Sequence, residues 1–248
     1  MDTTIIIPAR YGSRRFPGKP MAKILGKPMI EWVWRAAMAT KEMSKRVKSV
    51  IVATDSEEIQ RFCASLGAWA ELTDLRHPNG TSRCLEVCDR LGLGLDGEVM
   101  ILQGDEPLAS PELLCSILKR MSHMNPDPSP VTACCKFSSP QEMKDPNVVK
   151  VVLGHDWKSL YFSRTYLEGS FRHVGIYLHD IWALKMMSEI KPGPLEVCEG
   201  LEQLRVLEYG WKFRVVEWTC EPRTISVDVP EDIPRVEEEF RRFTSAQI

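Results

Sequence analysis

Residues 4–20 read Thr4-Ile5-Ile6-Ile7-Pro8-Ala9-Arg10-Tyr11-Gly12-Ser13-Arg14-Arg15-Phe16-Pro17-Gly18-Lys19-Pro20. The unbroken apolar, β-branched run Thr4–Pro8 predicts a strand buried on both faces, the condition of a strand inside a parallel sheet. The loop after it, Ala9–Pro20, holds two glycines and four cations: Arg10, Arg14, Arg15 and Lys19. Glycine lets backbone N–H groups come close to an anion. Guanidinium groups grip phosphate oxygens in pairs, and lysine adds a point charge. The combination suits a triphosphate or pyrophosphate. It matches neither a Walker A loop nor a GxGxxG fingerprint, which argues against a P-loop NTPase and an NAD-linked oxidoreductase. The plainer reading is a basic surface loop, but its place directly after a buried first strand favours the phosphate.

Outward from this loop, strand and helix alternate. Met29–Ala39 has helical spacing of apolar residues, and Ser49–Ala53 reads as a second buried strand. Ser56 precedes Glu57-Glu58-Ile59 as a helix N-cap, and Gly67 closes that helix. Thr81–Leu91 predicts another helix and Glu98–Leu102 another strand. Ser110-Pro111-Glu112 opens a further helix with proline in its first turn. The expected fold is α/β and Rossmann-like: a mostly parallel central sheet with helices on both faces. The loops Ala9–Pro20, Thr54-Asp55 and Gln103–Pro107 leave strand C-termini and are expected to converge on one cleft.

The second half is richer in strands: Val131–Phe137, Asn147–Leu153, Ser159–Ser163, Phe171–Leu178 and Phe213–Glu217. Helices are expected near Ile181–Ser188, over Leu195–Tyr209 and over Pro230–Arg242. Met124–Pro130 reads as a surface loop. A single domain, 1–248, with the later strands as a small β-rich subdomain is the expected organisation.

Composition narrows the function classes. The 248 residues are 44% hydrophobic and 27% charged, which excludes a disordered or fibrous chain. Lys+Arg number 32 against 34 Asp+Glu, a net charge of −2, so no bulk charge draws the chain to nucleic acid or membrane. No apolar run approaches the roughly 20 residues of a membrane span. The start, Met1-Asp2-Thr3-Thr4, lacks the basic residues of an export signal. Eight cysteines show no paired CxxC spacing and read as small, mostly buried residues in a reducing compartment, not as a zinc site.

Eight further segments follow the loop in order. They are Gly26-Lys27-Pro28-Met29-Ile30, Ile51-Val52-Ala53-Thr54-Asp55, Gly80-Thr81-Ser82-Arg83 and Gln103-Gly104-Asp105-Glu106-Pro107. Then come Leu160-Tyr161-Phe162-Ser163-Arg164, His173-Val174-Gly175-Ile176-Tyr177, Leu201-Glu202-Gln203-Leu204-Arg205 and Val227-Asp228-Val229-Pro230-Glu231-Asp232. Together they resemble the sugar nucleotidyltransferases that load keto-sugar acids onto CMP, and most closely the 3-deoxy-manno-octulosonate cytidylyltransferase (CMP-Kdo synthetase) family. The resemblance spans roughly residues 4 to 240. It implies the nucleotide-diphospho-sugar transferase type of fold, CMP transfer from CTP to the anomeric C2 hydroxyl of the sugar acid, and release of pyrophosphate. It also implies Mg²⁺, a role in lipopolysaccharide precursor synthesis, a cytoplasmic location and a homodimer.

The resemblance assigns Arg10, Ser13, Arg15 and Lys19 to the nucleotide phosphates, with Lys19, Arg15 and Asp105 as the catalytic set. Ala9, Arg10, Asn79, Gly80 and Arg83 are expected at the cytosine. Gln103, Arg164, His173, Tyr177, Glu202 and Gln203 are expected at the sugar. Asp105 follows a buried strand, where a carboxylate suits Mg²⁺ on a phosphate; on its own it also reads as a turn residue. Asp228 is the second metal carboxylate by resemblance alone; without it, Asp228 reads as a helix N-terminal residue before Pro230. His173 reads as a contact to the sugar acid or as an ordinary packing residue. The other sugar-side positions read equally as helix-surface residues.

Four departures stand out. Arg14 occupies the place of a small polar residue, Asn79 that of a serine, and Ser82 that of an acid. Only eight residues, Thr165 to Arg172, separate Arg164 from His173, where the family carries a much longer segment. That shortening touches the sugar side and the subunit contact, and leaves every phosphate and metal position in place. Competing expectations are a nucleotidyltransferase for another keto-sugar acid, such as 8-amino-Kdo or a nonulosonate, and a non-catalytic nucleotide-binding relative.

Overall fold

The computed structural model describes residues 1–13, 15–121, 129–220 and 222–245. Arg14 and residues 124–128 of the expected surface loop lie outside them. In chain order the elements begin with β1 (Thr3–Ala9), β2 (Lys23–Ile24), β3 (Lys27–Pro28), α1 (Met29–Met43), β4 (Val47–Thr54), α2 (Glu57–Ser65) and β5 (Trp69–Leu72). Next are α3 (Gly80–Arg90), β6 (Glu98–Leu102), α4 (Pro111–Arg120), β7 (Val131–Cys135), α5 (Pro140–Lys144), β8 (Lys150–Leu153) and β9 (Ser159–Ser163). The chain ends with β10 (Phe171–Asp180), α6 (Ile181–Glu189), α7 (Pro194–Glu199), α8 (Gln203–Glu208), β11 (Arg214–Glu217) and α9 (Ile233–Ser245). Contacts divide it into two compact units, Met1–Cys115 with Cys220–Ile248, and Ser116–Thr219.

In the first unit β1 pairs in parallel with β4 on one side and β6 on the other, and β5 extends the sheet beyond β4. Every residue of β1 and of β6 is buried, which is why neither shows alternating polarity. Helices α1, α2 and α3 pack on this sheet. Buried Glu98 is not left bare: Thr3 Oγ1 donates to it at 2.6 Å and Arg46 Nη2 at 2.6 and 2.8 Å. Because β1, β4 and β6 run the same way, the loops that follow them leave one edge of the sheet. Gly104 lets the turn after β6 touch the end of β1. A Cβ there would lie 2.7 Å from the Pro8 carbonyl oxygen. A cluster of Ile24, Met29, Leu108, Val227 and Val236 seats the segment before α9 against α1, with the Trp32 and Phe240 rings 4.4 Å apart.

The second unit is β-rich. β10 pairs antiparallel with β7 and β8, β8 pairs antiparallel with β9, and β11 runs parallel to β7. Val151, Phe162, Leu204 and Phe213 lie at its core. The β7–β10 register breaks between Val174 and Tyr177.

Several expected boundaries shift. The single helix expected over Leu195–Tyr209 is two short helices, α7 and α8. Gly200 adopts φ 62° and its N–H returns to the Glu196 carbonyl, a left-handed cap that ends α7. The strand expected from Asn147 starts at Lys150, since the Asn147 N–H is turned onto Asp145 Oδ1 at 2.8 Å. The strand expected to reach Phe137 stops at Cys135. The expected terminal helix opens with a 3₁₀ turn over Pro230–Asp232. The hairpin β2–β3, strand β5 and helix α5 carry too little periodic signal in two to five residues to be seen in sequence. Cys63, Cys84, Cys88 and Cys134 are buried, whereas Cys198 and Cys220 are exposed. Among the described residues no helix is long and apolar enough to cross a membrane.

Gly104→Ala places a methyl against a backbone carbonyl that cannot swing away. Urea unfolding should show a loss of about 1–3 kcal/mol, the usual range for overpacking; an unchanged midpoint would mean that the turn moves off the strand at no cost.

Candidate active site

The loop after β1 is held in shape by its own backbone. The N–H groups of Ser13 and Gly18 both donate to the Tyr11 carbonyl at 3.0 Å, and Phe16 N–H donates to Ser13 Oγ at 3.4 Å. Gly18 takes φ +70°, a conformation side chains rarely adopt, and packs against the Tyr11 ring. Asp55, just past β4, fastens the loop from below. Its Oδ1 accepts from Tyr11 N–H at 2.9 Å, and its Oδ2 accepts from Arg83 Nη2 at 2.8 Å. Arg83 is only 2% exposed and also donates to Thr73 Oγ1. Expected at the cytosine, it supports the loop through Asp55. Asp55 is absent from the residues assigned by sequence; its signal is a carboxylate one step beyond a buried strand.

Lys19 reaches two other segments. Its Nζ donates to Asp105 Oδ2 at 2.6 Å and to the Val227 carbonyl at 2.8 Å. Arg15 Nη2 donates to Asp228 Oδ1 at 2.7 Å. Four of the expected residues are thereby brought together: Arg15, Lys19, Asp105 and Asp228. The Asp228 carboxyl is held above its ordinary value of 3.8, first by burial and then by the Asp105 carboxylate, with Lys19 and Arg15 pulling the other way. Asp232 Oδ2 accepts from the N–H groups of Asp228 and Val229 and fixes that turn. Two repelling carboxylates with only oxygen donors suit Mg²⁺, which takes one or two carboxylates and fills its shell with phosphate oxygens and water. Both donors are carboxylates, a hard set that fits Mg²⁺ better than zinc.

Around Gly80 the fit is close. A Cβ there would sit 3.0 Å from Pro8 Cγ and 3.3 Å from Gln103 Oε1. Gln103, expected at the sugar, thus lies beside Gly80 at the end of β6. Asn79 caps α3, its Oδ1 accepting from Ser82 N–H at 2.8 Å. Ser82 Oγ is 3.1 Å from His77 Nδ1, and His77 Nε2 is 2.5 Å from Glu86 Oε2. The hydroxyl in the family's acidic position is part of this hydrogen-bond chain. Ala9 is buried at the end of β1, and Arg10 is exposed.

The expected sugar residues other than Gln103 lie in the second unit, in two groups. His173 and Tyr177 are ring neighbours at 5.5 Å, and Gln203 Nε2 donates to the Tyr177 hydroxyl. Burial and the neighbouring Arg172 push His173 down to about 3. Arg164 is the centre of the other group. Its Nε donates to the Glu199 carbonyl at 3.0 Å, Nη1 to that of Pro146 at 3.1 Å and Nη2 to that of Gly200 at 3.4 Å. Three of its five N–H bonds therefore hold backbone, and two have no partner among the described residues. Buried Lys150 supports the same turn, donating to the carbonyls of Asp145 at 2.5 Å and Arg164 at 3.0 Å. Glu202 directly precedes α8.

The family model for cytidylyltransferases matches residues 4–215. A 3-deoxy-manno-octulosonate cytidylyltransferase of Halorhodospira halophila is 37% identical over 250 residues, covering 94% of this chain and 95% of that protein. An 8-amino-3,8-dideoxy-manno-octulosonate cytidylyltransferase of Shewanella halifaxensis is 38% identical over 242 residues, covering 94% and 96%. The solved structure of CMP:2-keto-3-deoxy-manno-octonic acid synthetase complexed with CTP superimposes with a TM-score of 0.85 at 33% identity, over 98% of this chain and 99% of that one.

The raised Asp228 carboxyl has a consequence for stability. A folded-state value above the unfolded one means that ionising the group costs stability as pH rises through that interval, and the full cost stays at neutral pH. Asp228→Asn should therefore raise the melting temperature at neutral pH without Mg²⁺, with the gain fading as pH falls toward 3.8. A lower melting temperature at neutral pH would show that the Arg15 pair outweighs burial and Asp105.

Proposed function

The chain belongs to the cytidylyltransferase family, and from that premise we propose that it transfers CMP from CTP to the anomeric C2 hydroxyl of 3-deoxy-manno-octulosonate or a close analogue, releasing pyrophosphate. The observation that carries the reading is the pair of cation–carboxylate contacts, Lys19–Asp105 and Arg15–Asp228, at the loops that leave β1 and β6 and precede α9. Positive and negative groups at one place suit a metal-bound triphosphate better than either sign alone.

In the reaction the C2 hydroxyl oxygen bonds to the α-phosphorus as the bond to the bridging oxygen of pyrophosphate breaks. Catalysis of such a displacement is mostly positioning and charge neutralisation. Arg10, Ser13, Arg15 and Lys19 are the residues for the phosphates, with Lys19 and Arg15 balancing charge on the departing pyrophosphate. Asp105 and Asp228 would hold Mg²⁺, which when bound neutralises phosphate charge and lowers the pKa of the attacking hydroxyl. Ala9, Arg10, Asn79, Gly80 and Arg83 are the residues proposed for the cytosine.

Gln103, Arg164, His173, Tyr177, Glu202 and Gln203 are proposed for the sugar acid. The two remaining N–H bonds of Arg164 suit its carboxylate. A histidine pushed down to about 3 is a weak proton acceptor, which supports a binding role for His173 over that of general base. The short Arg164–His173 segment and the Shewanella relative favour a second reading, in which the acceptor is the 8-amino analogue. The cytoplasmic homodimer and the lipopolysaccharide role rest on the resemblance.

Pyrophosphate release over CTP, UTP, ATP and GTP, with Mg²⁺ and with or without Kdo, tests the proposal. Release with CTP plus Kdo alone is expected. Release only with the 8-amino sugar would select the second reading, and CTP binding without release from any sugar acid would leave a non-catalytic relative. Asp105→Ala should abolish release while part of the CTP binding survives; normal turnover would remove Asp105 from the metal site.

A further inference from the structure

Thr132 of β7 is fully buried, and its hydroxyl meets three groups at the break in the β7–β10 ladder. His173 pairs with Cys134 and Val174 with Ala133, but Thr132 pairs with Tyr177, so Gly175 and Ile176 fall between the partners. Thr132 Oγ1 lies 2.8 Å from the Ile176 carbonyl, 3.3 Å from the Val174 carbonyl and 2.9 Å from His173 Nε2. A hydroxyl has one proton and two lone pairs, and a carbonyl oxygen can only accept. The proton therefore goes to a carbonyl, the nearer being Ile176. The remaining partner, His173 Nε2, must then donate to Oγ1. In a neutral ring that leaves Nδ1 without a proton, as an acceptor. The imidazole is also fixed in orientation: the Phe162 ring meets it edge-on at 5.2 Å and the Tyr177 ring lies at 5.5 Å.

We propose that Thr132 is a positioning residue that locks His173 as the Nε2–H tautomer, so that Nδ1 accepts a hydrogen bond from a hydroxyl of the acceptor sugar. This rests on the reading that His173 touches that sugar. The register break is part of the device, because it turns two carbonyls toward the threonine and thereby dictates where its proton points. A neutral acceptor nitrogen selects a hydroxyl donor and gives no charge to a carboxylate, so His173 and Arg164 divide the recognition of a polyhydroxy acid between them.

Long-range ¹H–¹⁵N spectra of the whole protein labelled with ¹⁵N-histidine, with His173 assigned by loss of its signals in His173→Gln, read the tautomer directly. A protonated Nε2 and an unprotonated Nδ1 are expected in the wild type; the opposite tautomer overturns the proposal without any variant having to fold. In Thr132→Val the Nε2–H signature should give way to a mixture, and KM for the sugar acid should rise about tenfold, the scale of one lost hydrogen bond. KM for CTP should hold, and Thr132→Ser should restore both tautomer and sugar KM. A Thr132→Val protein with unchanged tautomer and sugar KM refutes the role of Thr132. A wild-type sugar KM in His173→Gln refutes the sugar contact itself, which separates failure of the underlying reading from failure of the threonine.

Discussion

The Lys19 ammonium, held between the Asp105 carboxylate and the Val227 carbonyl, is the contact on which the nucleotide half depends. It joins the loop after β1, the turn after β6 and the segment before α9, which are far apart in sequence. The side chain is largely withdrawn from solvent, at 14% exposure, so the attraction is less screened than at an open surface. Beside it the Asp228 carboxyl is held above its ordinary value, first by burial and then by Asp105. Burying one carboxylate beside another is costly unless cations balance them, as Lys19 and Arg15 do here. Sites of this kind trade stability for readiness.

The rest of the first unit makes that cost bearable. Parallel strands buried on both faces fix where the loops start. Gly104 allows the β6 turn to approach Pro8. The Asp55 carboxylate holds Tyr11 N–H and is itself held by buried Arg83, so the cationic loop is shaped by the protein's own contacts. A preformed loop does not spend binding energy on its own ordering. In the second unit, Lys150 and Arg164 bind carbonyls around the Pro146 and Glu199 turns, again with charged side chains fixing backbone.

Much of this is legible in sequence, for definite reasons. The runs Thr4–Pro8 and Glu98–Leu102 lack polar alternation, as strands of a parallel sheet covered on both faces do. The cationic loop and Asp105 declare themselves by following such strands. Asp228 does not: before Pro230 it looks like a helix-start residue, and only its resemblance to a motif singles it out until Arg15 is seen upon it. Arg83 and Asn79 carry contacts that their residue types alone do not announce: one is buried on Asp55 and the other caps α3. Asp55 shares the signal of Asp105, a carboxylate just past a buried strand, whereas Thr132 is silent, because its role arises from strand register, which no local pattern encodes. The break at Gly200 escaped for a related reason: helical spacing continues through a residue whose φ turns positive.

The central claim is that the Lys19 contact marks the place of the nucleotide phosphates. Calorimetric titration of CTP in Mg²⁺ into wild type and Lys19→Met tests it most directly. The account predicts that affinity falls by about tenfold to a hundredfold, the scale of a lost charge-assisted hydrogen bond, in a protein that still melts cooperatively. An unchanged CTP affinity in a folded Lys19→Met protein would contradict it, and would make the ion pair with Asp105 a purely structural clasp.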